Sequence, residues 1–110
     1  MLYQYVRKNG KRIGIVVAIE LDTDNVRIGW SLCNVKLDKF DRYRGLQIAV
    51  GRAIYNSTTD IPQSVYPTLT HFAQKAKRYY KDKTVTLPKG FTGKDSENLG
   101  PTSFIRRVMS

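Results

Sequence analysis

Arg44, Ile48 and Arg52 recur at four-residue steps in the run Arg42-Tyr43-Arg44-Gly45-Leu46-Gln47-Ile48-Ala49-Val50-Gly51-Arg52-Ala53. On a helix that spacing sets them on one face. Guanidinium groups fork onto phosphate oxygens, often with two parallel hydrogen bonds each. Arg106 and Arg107 near the C-terminus add two more of the same kind. Phe72, Phe91 and Phe104 are rings on which a base stacks, with Tyr79 and Tyr80 beside them in the same role. Such stacking is typically worth about 1–3 kcal/mol per base. Asn98 is the type of side chain that reads a base edge or a ribose hydroxyl. These eight residues (Arg44, Arg52, Phe72, Phe91, Asn98, Phe104, Arg106 and Arg107) are the candidate ligand-binding set. Each aromatic has a competing reading as core. The helical spacing around Phe72 and Tyr80 favours core, whereas Phe91 and Phe104 stand near glycines and arginines in irregular chain.

Catalytic chemistry is poorly supplied, and the expectation is a protein that is not an enzyme. The one histidine, His71, falls beside the apolar stripe of a helix, where a surface or satisfied residue is the common case. Cys33 is the sole cysteine and has no obvious partner for a Cys-His pair. One Cys and one His do not make a usual zinc site. Glu20, Asp22 and Asp24 lack the spacing of a calcium loop. No Gly-rich phosphate loop with its lysine is present. No metal and no cofactor are expected.

Charge is the dominant global property. Nineteen Lys and Arg stand against nine Asp and Glu, for a formal net charge of +10. A field of that sign attracts polyanions and phosphorylated ligands. Nucleic acid is the commonest partner of a small basic protein, a phosphate-bearing small molecule the less common one. The length of 110 residues and the 41% hydrophobic content indicate one folded domain, 1–110, with a modest core. No apolar run approaches the roughly 18 residues of a membrane span. The opening Met1-Leu2-Tyr3-Gln4-Tyr5 does not read as a signal peptide. A single cysteine fits a reducing cytosol.

The elements that must position these groups follow from periodicity. Tyr3 to Arg7 reads as a strand, Asn9-Gly10 as a turn, and Arg12 to Leu21 as a second strand whose β-branched run from Ile13 to Ile19 suits burial on both faces. Asp22 to Asn25 is a polar turn, and Val26 to Leu32 a third strand with Val26, Ile28 and Trp30 on one side. Tight turns make these an antiparallel meander.

A helix then begins, capped by Asp38 or Asp41, with Tyr43, Leu46, Val50 and Ala53 as its core stripe and Ala49 and Ile54 beside them. Gly45 and Gly51 each cost that helix about 1 kcal/mol relative to Ala, which close approach of another backbone or a ligand would offset. Two readings of the Arg-Ile-Arg face stay open: a buried helix with two surface arginines, or a face that meets a partner subunit or an anion. Asn56 to Val65 is a loop. Tyr66-Pro67 opens a second helix with Leu69, Phe72, Ala73, Ala76 and Tyr80 inward and a lysine-rich end. Thr84 to Leu87 is a short strand, Pro88 to Pro101 a loop, and the apolar tail through Met109 is expected to pack on something. The fold class is therefore α+β: an antiparallel N-terminal β-meander packed with two main helices, a short additional strand and a C-terminal tail.

The run Val26-Arg27-Ile28-Gly29-Trp30-Ser31-Leu32-Cys33-Asn34, then Asp38-Lys39-Phe40-Asp41 and Gly45-Leu46-Gln47-Ile48-Ala49-Val50-Gly51-Arg52-Ala53, is similar to a pattern common in small phage and prophage proteins. Tyr5 to Lys11 is similar too. Within that group the chain most resembles the Thoeris anti-defence protein 1 family, over about its first half and an Arg-containing tail. The resemblance implies a phage-encoded sponge acting in the host cytoplasm. Such proteins bind cyclic ADP-ribose isomers without cleaving them, in some members also CBASS cyclic oligonucleotides, and assemble as homo-oligomers, commonly hexamers. Arg52 then matches a phosphate-contacting helix arginine, Arg106 and Arg107 the tail arginines, and Phe72, Phe91 and Asn98 the stacking and polar contacts. Two other classes stay in view: a DNA- or RNA-binding phage regulator, and an inhibitor whose Arg-Ile-Arg face docks an acidic patch on a host enzyme.

Overall fold

The computed structural model describes residues 1–35, 39–55 and 60–91. Three antiparallel strands open the chain: β1 (Leu2–Lys8), β2 (Lys11–Glu20) and β3 (Asn25–Leu32). Asn9 and Gly10 turn β1 into β2 with φ of 52° and 80°, the left-handed pair that Asn-Gly adopts with least strain. Asp22 builds the second turn. Its carboxylate accepts the backbone N–H groups of Asp24 and Asn25, each at 2.9 Å, and the Asn25 amide at 3.0 Å. Helix α1 (Arg42–Tyr55) follows, then a single 3₁₀ turn (Gln63–Val65), helix α2 (Tyr66–Tyr79) and the short strand β4 (Thr84–Thr86). The sheet order is β1-β2-β3-β4, and β4 pairs parallel to β3 over Asn25–Arg27. The architecture is α+β with a mixed sheet.

The helices cover opposite faces of the sheet. Val6, Val16, Ala18, Val26, Ile28 and Trp30 pack against Leu69, Phe72, Ala73 and Ala76 of α2. Ile15 and Val17 pack against Ala49 of α1, with Leu46 and Val50 half-buried beside them. Strand β2 is therefore buried on both sides from Ile13 to Ala18, as its β-branched run requires. Val6 stands opposite Gly14 and Arg7 opposite Arg12, leaving Ile13 as an extra residue. This bulge turns Ile13 to the α2 face, with Val16 and Ala18.

The buried face of α1 differs from the periodicity expectation. Gly45, Ala49 and Ala53 are its buried residues, while Tyr43, expected inward, is 72% exposed and Ile54 is also exposed. The cause is Gly29 on β3. A Cβ there would fall inside the contact envelope of the Ala49 carbonyl and lie 2.7 Å from the Ala53 nitrogen. The helix backbone sits on a position without a side chain, so its smallest residues face the sheet. At the C-terminal end of α1, Arg27 donates to the Ile54 carbonyl at 2.8 Å, satisfying one of the carbonyls a helix end leaves unpaired. Helix α2 keeps its expected stripe: Leu69, Phe72, Ala73, Ala76 and Tyr80 are all buried. No helix among the described residues is long and apolar enough to cross a membrane.

Candidate functional site

The start of α1 is fixed by Asp41. Its carboxylate accepts the N–H of Tyr43 at 2.9 Å and of Arg44 at 3.3 Å, two of the orphan donors of the first turn. Phe40 thus precedes the cap and Gly45 is the fourth helical residue, the two positions where apolar side chains commonly staple a helix start. Here the second position is empty. A Cβ on Gly45 would lie 3.5 Å from Phe40 Cε1 and 3.3 Å from Ser31 Oγ.

A cleft of about 320 Å³ opens at this place, between the end of β3 and the first turns of α1. Ser31, Asn34, Lys39, Phe40, Arg44 and Ile48 are among the residues that line it. Its volume lies at the low end of the range of about 300–1,000 Å³ typical of small-molecule pockets. Arg44 and Lys39 are exposed cations on its rim, and Phe40 is half-buried. The Asp41 carboxylate also borders the cleft, but it is spent on the helix N-terminus. Ser31 is 2% exposed and its hydroxyl has no hydrogen-bond partner among the described residues. Leaving a buried hydroxyl unpaired costs about 1–3 kcal/mol.

Among the described candidate ligand-binding residues, Arg44 alone lines this cleft. Arg52 turns to the sheet edge. Its Nη1 donates to the Trp30 carbonyl at 3.0 Å, and its guanidinium lies 4.0 Å from the centroid of the Trp30 ring. The N–H of Cys33 reaches Ile13 on β2, so by strand alternation the backbone of Trp30 points away from β2, beyond the stretch that β4 covers. Arg52 fills that gap in the ladder, and burial pulls its pKa below the ordinary value. The four-residue steps from Arg44 through Ile48 to Arg52 therefore do not bring both arginines onto one ligand: one faces the cleft, the other braces the sheet.

Phe72 is fully buried in the α2 core. Phe91 is buried against Tyr66, ring centroids 5.0 Å apart. Both lie on the face of the sheet opposite α1, so they do not converge with Arg44, and core packing is their observed role. Asn98, Phe104, Arg106 and Arg107 lie outside the described residues, as does Asp38. Gly51, expected to mark a close approach, has nothing among the described residues within 4 Å of where its Cβ would stand; Gly14, Gly29 and Gly45 are the described glycines that do. Sequence reasoning missed Ser31, Lys39 and Phe40 as site residues. The available signal was the glycine four residues after Asp41, which leaves Phe40 without its staple partner.

Arg42, one turn before Leu46, lies 5.3 Å from the Tyr43 ring centroid. The Tyr43 side chain first, then Tyr5, raise its pKa by hydrogen bonding. Among the described residues no group of three or more His, Cys, Asp or Glu is placed to hold a metal ion. His71 is exposed on α2. Cys33 is half-buried, its thiol 3.7 Å from the Lys39 carbonyl.

Fold and cleft together define a small, strongly basic α+β domain with a cationic cleft at one end. No family model matches the chain, and no curated protein or solved structure matches it.

Proposed function

We propose that the protein binds and sequesters a compact phosphate-bearing nucleotide, without cleaving it, in the cleft between β3 and α1. The observation that carries this reading is the meeting of four features at one place. Arg44 and Lys39 are cations for a phosphate, Phe40 is a flat ring, Gly45 leaves space, and the buried Ser31 hydroxyl lacks a partner among the described residues. A ligand that completes the hydrogen bonding of Ser31 while neutralising Arg44 gains twice in one pocket. The field of ten surplus positive charges speeds capture, and sequestration needs slow release but no general acid or base.

The family resemblance directs the choice of ligand: a cyclic ADP-ribose isomer first and CBASS-type cyclic oligonucleotides second, taken up in the host-cell cytoplasm as a phage anti-defence sponge. Assembly of several copies, up to a hexamer, belongs to the same reading. Ile48, Ile54 and Tyr55 are exposed on α1 beside the open Gly51, a surface that suits a second copy. The test is capture and release. Purified protein is mixed with the cyclic nucleotide, separated from free ligand, and heat-denatured. Depletion followed by recovery of the intact nucleotide is the expected result, and Arg44→Ala weakens capture by roughly tenfold or more. Undiminished free ligand, or a hydrolysed product, overturns the proposal.

A further inference from the structure

We infer that the end of the molecule formed by the β1–β2 hairpin and the start of α1 is a surface for single-stranded nucleic acid. This inference does not depend on the cleft having a ligand. Arg7 stands directly opposite Arg12, and Lys8 directly opposite Lys11; all four are exposed. Like charges directly opposed across a ribbon destabilise it. No carboxylate among the described residues pairs with any of the four; Arg7 donates only to the turn carbonyl of Gly10, at 3.3 Å. The acids of the sheet lie at its far end, where Glu20, Asp22 and Asp24 surround the β2–β3 turn and Lys83 reaches Glu20 at 3.3 Å. Charge is thus separated along β2, with Lys11 at one end and Glu20 at the other. A polyanion laid over the hairpin converts the repulsion of the two opposed pairs into attraction.

The rings beside the hairpin decide which polyanion. The Arg12 guanidinium lies 4.2 Å from the Tyr5 centroid and that of Arg7 lies 5.7 Å from it. A guanidinium stacked on a ring keeps its N–H edges for phosphate oxygens and is ordered before the ligand arrives. Tyr5 meets Tyr3 edge-on at 5.8 Å and Phe40 at 5.9 Å. Tyr3 and, at the start of α1, Tyr43 keep exposed ring surface. Cations tracking a backbone beside exposed rings fit a strand whose bases are free to stack. A duplex hides the faces of its bases, and an anionic membrane has none.

The test measures binding of labelled oligothymidylate of about fifteen nucleotides to the full chain, beside a duplex of equal length and vesicles rich in phosphatidylserine. The single strand is expected to bind at least about tenfold more tightly than the duplex, and Tyr43→Ala to lose about tenfold while Tyr43→Phe does not. The salt dependence of the affinity is expected to flatten by about 1.4 in slope in Arg7→Gln/Arg12→Gln, since each lost phosphate contact removes about 0.7. Lys8→Gln/Lys11→Gln is expected to melt higher than the parent while binding more weakly, which separates lost binding from lost folding. No binding of the oligonucleotide, equal affinity for duplex or vesicles, or an unchanged salt slope overturns the inference.

Discussion

The Arg52 guanidinium donates to the Trp30 carbonyl at 3.0 Å and lies 4.0 Å from the centroid of the same residue's indole. One side chain thus completes the backbone bonding of a strand edge and covers the ring that the edge would otherwise expose to water. Trp30 is only 5% exposed although β4 stops at Thr86, opposite Arg27. Helix α1 is tied to β3 twice more, through Gly29 beneath Ala49 and Ala53 and through Arg27 at the Ile54 carbonyl.

Replacing Arg52 by Ala removes a charged hydrogen bond and a cation–π contact together. The expected loss is about 1–2 kcal/mol, or roughly 4–8 °C in melting temperature for each kcal/mol. Lys at this position keeps the charge but not the flat face, so Arg52→Lys is expected to fall between the parent and Arg52→Ala. Thermal melts followed by Trp30 fluorescence make the comparison; an Ala variant that melts with the parent refutes the bracing role.

Gly29 and Gly51 predict opposite outcomes for the same substitution. A Cβ on Gly29 collides with backbone atoms of α1, so Gly29→Ala must push the helix off the sheet. A cost of about 3 kcal/mol is expected. Gly51 has open space where its Cβ would stand, and Gly51→Ala is expected to stabilise the chain by about 0.5–1 kcal/mol through helix propensity. Denaturant melts at fixed protein concentration test both. If Gly51 lies at a contact between copies, the Ala variant shows its gain in stability together with a smaller assembly by native mass spectrometry.

The second β-turn carries a pH signature. The Asp24 N–H first, then the Asn25 side chain, hold the Asp22 carboxyl below its ordinary value of 3.8. A carboxyl depressed in the folded state stabilises the fold above its unfolded pKa, and that contribution is lost as the pH falls through the folded value. Asp22→Ala is therefore expected to lower the melting temperature near neutral pH and to converge on the parent as the pH drops below 3.8. A gap between the two curves that stays constant through the acid range would show that the turn does not depend on the charge.

Several elements are legible in the residues alone because local chemistry decides them. Asn9-Gly10 dictates its turn, the β-branched run from Ile13 dictates a strand buried on both faces, and Tyr66-Pro67 opens a helix whose stripe faces the core. The α1 face is not legible in this way. Hydrophobic spacing points to Tyr43, but the contact is governed by close approach over Gly29, and that favours small residues over apolar ones. The parallel pairing of β4 follows from the path of the chain after two helices, which no local pattern encodes. The cleft joins Ser31 to Gly45 across a polar connection, and Arg52 meets a carbonyl 22 positions away. A stripe of arginines records that cations share a helix face, but not that one of them is committed to the sheet.

The Ser31 hydroxyl gives the sharpest test of the cleft. It is buried and has no partner among the described residues, so removing it removes a desolvation cost without removing a bond. Ser31→Ala is expected to hold or raise stability, by up to about 1 kcal/mol. If the cleft binds a nucleotide through this hydroxyl, the same variant binds less tightly, because a ligand polar group now loses its partner. Stability and affinity then move in opposite directions, as they do where a binding site is maintained against the fold's own preference. Gly45→Ala is the companion variant. Its methyl group enters at 3.3 Å from Ser31 Oγ and 3.5 Å from Phe40 Cε1, narrowing the cleft while the helix gains propensity. Calorimetric titration with the cyclic nucleotide beside thermal melts of both variants reads the two quantities together. A Ser31→Ala chain that is less stable than the parent shows that the hydroxyl is already satisfied, and unchanged affinity in both variants moves the nucleotide site away from this cleft.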